Sequence, residues 1–270
     1  KRLSALLKQL GMKACAITDK GNMFGAASFY REMRYAGIKP ILGYEASVLP
    51  GSRFTRSLAV EAGELAYYEL VLLAKNYQGY LNLSYIASKA YTDRAGEGGA
   101  KVDLDLLREK STDLFLLTGA RGSALWHYLS NRNEERAAQH LADLIAIYGR
   151  ENVFIQIENH GIVEDDEITE RIVEAASAAG LQLVATNNVF YLEQEDAKAQ
   201  EVLLCIGAGT TLNDPSHPSL PNDSYYLKSA EEMRDLFADK YPEALANTLK
   251  IAEVCDIELP IGGSLTLPTF

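Results

Sequence analysis

The chain has 270 residues, 47% of them hydrophobic and 23% charged, and its 26 Lys and Arg against 37 Asp and Glu give a net charge of −11. That apolar content excludes a mainly disordered chain, and no apolar run reaches the ~20 residues that span a bilayer. The acidic balance disfavours a surface that grips duplex DNA by its phosphates, which takes clustered Lys and Arg.

Residues 1–10 read as an amphipathic helix rather than a targeting segment. Residues 14–18 (ACAIT) form a short buried-strand candidate, followed by a Gly21-Asn22 turn and a helix over 24–36 closed by Gly37. Residues 40–48 (PILGYEASV) are the next strand, a loop with Pro50, Gly51 and Gly63 follows, and 70–74 (LVLLA) is the third. Asn76 is placed to cap a helix through Lys89. Gly96, Gly98 and Gly99 mark a surface loop, 102–110 a short helix, and 114–118 (LFLLT) a strand. Helices are predicted over 123–130 and 134–148, a strand over 153–157 (VFIQI), and a helix over 165–179 closed by Gly180. Strand 183–186 (LVAT) precedes helix 195–206 and an extended loop over 215–221. Ser229 with Glu232 has the capping-box spacing, and Pro242 sits in the first turn of a last helix running to about Cys255. The stretch 260–270 has no periodicity.

Near-continuous apolar strands, each followed by a helix, predict a parallel sheet buried on both faces. A (β/α)-type barrel and an open doubly wound sheet both accommodate six such units. No Gly-x-Gly-x-x-Gly opens a helix, so a dinucleotide site has no support. Polar residues gather where strands end (Asp19-Lys20-Gly21-Asn22, Glu45, Gly119, Asn187-Asn188), the face at which barrels build their sites. Such a barrel should open with a strand, which places the expected first strand upstream of Lys1. Cys15, Cys205 and Cys255 lie in apolar settings without a Cys-x-x-Cys pair, which predicts buried thiols in a reducing compartment, the cytoplasm, rather than disulfides or zinc.

Residues 10–25 (LGMKACAITDKGNMFG) and 36–45 (AGIKPILGYE) resemble the opening of the PHP (polymerase and histidinol phosphatase) domain. The branch is the one carried by the α subunit of bacterial replicative DNA polymerase III. Residues 70–76 (LVLLAKN), 79–83 (GYLNL), 159–161 (NHG), 183–187 (LVATN), 202–206 (VLLCI) and 241–248 (YPEALANT) are similar to that branch in the same order. The resemblance implies a distorted barrel of about seven strands over residues 1–228, and a helical segment, 229–270, leading toward the polymerase palm. Intact members hold up to about three metal ions, which polarise a phosphoester and generate hydroxide.

Residue by residue, the implied ligand set is mostly absent. Lys20 stands where the family's Thr-Asp-His-Gly motif has its His, Glu69 replaces a His, Ala120 a Cys or His, and Asn188 and Phe190 the Asp and His of Asn-Asp-Val-His. Glu45 alone keeps its type, as a vestigial ligand. Ala120 and Phe190 have no donor atom, and Lys20 repels a metal and is placed to pair with Glu45 or Glu69. Glu45 and Glu69 could together hold one hard cation with the help of water.

His160 in Asn-His-Gly reads as a turn residue rather than a base. His127 and His140 read as packing or surface positions, and His217 carries no partner signal. Residues 164–167 (EDDE) read as a solvated helix start. The resemblance then implies a DNA-directed DNA polymerase as the parent chain, its Mg²⁺ carboxylates lying outside this segment, with no catalytic residue or cofactor here. It implies a domain that braces the polymerase and docks a proofreading exonuclease subunit, meeting DNA only through the parent enzyme and with no membrane role. The rivals are an active metal-dependent phosphoesterase or 3′–5′ exonuclease and, more weakly, a free-standing phosphatase.

Overall fold

A computed structural model describes residues 1–55, 65–93 and 99–261. Six strands form one sheet in chain order: β1 (Ala14–Ile17), β2 (Lys39–Val48), β3 (Tyr68–Ala74), β4 (Leu114–Thr118), β5 (Val153–Ile157) and β6 (Gln182–Ala185). The sheet curls as half a barrel, so the distorted barrel type read from the sequence is the architecture found, and all six strand predictions fall on strands.

The all-parallel expectation is corrected. β1–β2, β4–β5 and β5–β6 are parallel, but β3 runs antiparallel to both neighbours. It pairs with β2 from Gly43↔Leu73 to Val48↔Tyr68. Between β3 and β4 the chain passes through two helices, α3 (Tyr77–Thr92) and α4 (Leu104–Glu109), which return it to the end at which β3 finished. A strand buried on both faces reads as the same apolar run in either direction, so its sequence carries no orientation.

Helices cover the convex face: α1 (Arg2–Gln9), α2 (Ala26–Ala36), α5 (Ala124–Ser130), α6 (Glu134–Tyr148) and α7 (Val163–Ala179) join α3 and α4 there. Their starts follow local chemistry. Asn76 Oδ1 accepts from Gly79 N at 3.1 Å, Asp103 caps α4, and Ser123 caps α5. Beyond β6 come α8 (Ala197–Ala208), α9 (Ala230–Phe237), whose Ser229–Glu232 capping box is complete, and α10 (Pro242–Val254). The loops marked by Gly63 and by Gly96 and Gly98, and the stretch beyond 261, lie outside the described residues.

Strand alternation sorts side chains to two faces. Leu42, Leu72, Leu116 and Ile155 point outward into the helical layer and are fully buried. Ile41, Leu73, Phe115, Leu117, Phe154 and Val184 point inward and form a second core, which Ile251 and Cys255 at the α10 end close. Lys39 Nζ donates to the carbonyls of Ala252 and Glu253 at 2.8 and 2.9 Å, and Asn247 Nδ2 donates to Leu183 O on β6 at 2.7 Å. One end of the concave face is thus sealed by apolar packing. The same alternation places Glu45, Glu69 and Gln156 at the other end.

Cys205 and Cys255 are buried and Cys15 is half-buried, all as free thiols. Among the described residues, no helix is long and apolar enough to cross a membrane.

Candidate functional site at the open end of the half-barrel

The parallel pairing of β1 with β2 continues one step beyond Thr18. Glu45 N donates to Asp19 O, Gly21 N donates to Glu45 O, and Lys20 bridges Glu45. Lys20 thereby stands at the concave rim. Asn22 holds the turn after it, its Nδ2 donating to Lys20 O and its Oδ1 accepting from Phe24 N. On β3, two residues from the strand position paired to Glu45, Glu69 N donates to Gly122 O at 2.9 Å, which ties this strand to the turn after β4. Gly119 opens that turn at φ +121°, where a Cβ would stand 2.6 Å from Gln156 O, so glycine is required.

These three elements bring Lys20, Glu45 and Glu69 together. Lys20 Nζ donates to Glu69 Oε1 and lies 3.7 Å from Glu45 Oε1. Burial works against the Lys20 ammonium, but the hydrogen bond and charge of Glu69, with the charge of Glu45, outweigh it and raise its pKa. Glu45 is pushed up from the ordinary 4.5 to about 7, first by burial, then by the Glu69 carboxylate and more weakly by Glu158, with Lys20 opposing. One ammonium therefore serves two carboxylates, and a third, Glu158, stands close enough to be felt.

The remaining predicted positions line the same rim but do not join this cluster. Ala120 is half-buried, its carbonyl accepting from Ser123 N. Asn188 is exposed, and Phe190 is 45% exposed with its ring edge-on to Tyr225 at 6.1 Å. Among the described residues, no three of His, Cys, Asp and Glu are grouped as a metal ion would need.

Other residues define the site that sequence reasoning passed over. Gln156 Nε2 donates to Thr186 Oγ1, which donates to Glu158 Oε1, both at 3.3 Å. His160 is buried, stacks on Tyr225 at 4.1 Å, and faces Glu158 at 3.4 Å. A cleft of about 400 Å³ opens beside Glu69, walled by Tyr67, Arg121, Gly122, Trp126 and His127. Arg121 holds Asp165 through two hydrogen bonds, of 3.1 and 2.6 Å. The acidic start of α7 is therefore not wholly solvated, because Asp165 is tied to the rim. Nor is His217 without a partner: its Nε2 lies 2.7 Å from Glu201 Oε1, and that bond with the Asp214 carbonyl raises its pKa. Both pairs join segments far apart in the chain, which no local spacing signals. His140 is buried and its pKa is lowered to about 4 by that burial, as suits a neutral packing residue.

The family model for the PHP domain matches residues 1–160. Among curated proteins, the DNA polymerase III subunit alpha of Treponema pallidum (strain Nichols) is 39% identical over 269 residues, covering 100% of this chain and 23% of that protein. The DNA polymerase III subunit alpha of Thermus aquaticus is 40% identical, covering 95% of this chain and 21% of that protein. That of Pseudomonas aeruginosa is 37% identical, covering 100% and 22%. The chain thus spans little more than a fifth of the length of these curated relatives.

Proposed function

Because this chain belongs to the PHP domain family, we propose that it is the PHP domain of a DNA polymerase III α subunit whose metal chemistry has been replaced by an internal ion pair. The observation that carries this is the position of Lys20 Nζ, bonded to Glu69 and 3.7 Å from Glu45. A metal cluster needs several anionic or imidazole donors with vacant lone pairs. Here an ammonium takes the carboxylate oxygens, Ala120 and Phe190 offer no donor, and Asn188 is neutral. The residues present do not fit a metal cluster, and no hydrolytic step is assigned to them.

The ammonium does what cations would otherwise do for the fold. It neutralises carboxylates that strand geometry forces together at the half-barrel mouth. The domain then serves as a brace for the polymerase and a docking surface for a proofreading exonuclease subunit, for which an acidic face suits a protein partner better than a nucleic acid. Nucleotide addition with Mg²⁺, and contact with DNA, belong to the polymerase region outside this sequence, in the cytoplasm.

The test uses the full-length chain and its organism's proofreading exonuclease. Co-purification in equal amounts, unchanged by a chelator that strips transition metals, is the expected result. A complex that forms only with manganese or zinc, or DNA hydrolysis by the α-type chain alone, would overturn the proposal.

A further inference from the structure

The helix α8 is unlike the others. A 12-residue helix is marginal alone and depends on burying an apolar face. Yet only Cys205 of α8 is buried, and its main contact is the 3-10 turn, Gln194–Asp196, that leads into it. A cleft of about 340 Å³, lined by Lys198, Glu201, Leu220 and Asn222, separates part of it from the following loop. Its outer face carries Ala199, Val202, Leu203 and Ile206, the i, i+3, i+4, i+7 stripe that a helix normally turns inward. Leu203 is 59% and Ile206 69% exposed, and Leu212, just past the helix, is 41% exposed. Single exposed apolar residues are ordinary, whereas a contiguous stripe marks an interaction face.

The surroundings say what kind of surface covers it. Residues 193–223 hold six carboxylates (Glu193, Glu195, Asp196, Glu201, Asp214, Asp223) against one cation, Lys198. Arg2 reaches Glu193 and Asp196 from α1, and His217 reaches Glu201. A second copy would set this acidic rim against itself, which disfavours self-association. The complement is an apolar centre with a basic rim. The relatives' chains are more than four times as long as the region matched here, so most of such a polypeptide is available as that partner.

We propose that the α8 face is a docking site within the longer chain, covered by an apolar, basic-rimmed segment of the polymerase polypeptide that this sequence does not span. The inference rests on the reading of the chain as part of a polymerase α subunit, and it names a contact which that reading leaves open. The test is photo-cross-linking of the full-length chain with a benzophenone amino acid at Leu203 or Ile206, and at exposed Glu174 on α7 as control. Expected are intramolecular cross-links from 203 and 206 to peptides outside the 270 residues, and none such from 174. Cross-links to a second copy or to a separate protein, or equal behaviour at all three positions, would overturn it. A gene that encodes no polymerase around this region overturns the underlying reading instead, whatever the cross-links show.

Discussion

Replacing Glu45 by Gln separates the ion-pair account from a metal-site account by sign. Glu45 has a folded pKa of about 7 against an ordinary 4.5, chiefly because burial and the Glu69 carboxylate oppose its ionisation. A carboxyl that holds its proton more tightly when folded favours the folded state at low pH, and that contribution is lost as pH rises from about 4.5 through 7. The rise corresponds to about 3 kcal/mol as an upper bound, for a side chain 22% exposed. Glu45→Gln keeps the shape and removes the titration; the attraction to Lys20 is already contained in the net pKa, and solvent screening of the partly exposed pair brings the effect below that bound. Urea denaturation followed by circular dichroism should therefore find the variant more stable than the parent by about 2 kcal/mol at pH 8, and nearly equal or slightly less stable at pH 4.5. A difference that does not change with pH, or a variant less stable at pH 8, would show that ionised Glu45 is not a cost to the folded state. The second outcome is what a metal-holding Glu45 would give.

Three further changes probe the same framework. Lys20→Met leaves Glu45 and Glu69 without their shared cation and should cost about 1 kcal/mol at pH 8, small because the lysine is half exposed and screened, with the loss shrinking in 1 M salt in the same denaturation assay. Gly119→Ala puts a Cβ 2.6 Å from the Gln156 carbonyl at φ +121° and should lower stability by about 2 kcal/mol or more, measured as a fall in melting temperature. Asn247→Ala removes the bond from α10 to Leu183 O in a site only 2% exposed, and should cost about 1–3 kcal/mol and speed amide exchange in β6 and α10. Unchanged exchange there would separate α10 from the core.

The six strands were legible because buried strands concentrate apolar residues between turn signals, as in LFLLT and VFIQI. The helix starts at Asn76, Ser229 and Pro242 were legible because the side-chain caps of the first two and the fixed φ of a first-turn proline are local chemistry. Strand direction was not, since Leu70–Ala74 is apolar on both faces whichever way it runs. At the site, strand-end clustering singled out Lys20 and Glu45, while Glu69 and its pairing with Lys20 were legible only through the positions that the PHP resemblance implies. The Arg121–Asp165 and His217–Glu201 pairs did not, since their partners lie 44 and 16 residues apart and only tertiary folding brings them together. The open face of α8 escaped because an amphipathic stripe reads the same whether its cover is present or lies elsewhere in a longer chain.

Whether an ammonium stands where divalent ions would otherwise bind is decided by metal analysis of the purified full-length protein run alongside a phosphodiesterase assay. The Lys20 ion pair should leave far less than one transition-metal ion per chain and no hydrolysis from this domain. Stoichiometric manganese or zinc, lost together with hydrolysis on Glu45→Ala, would contradict it.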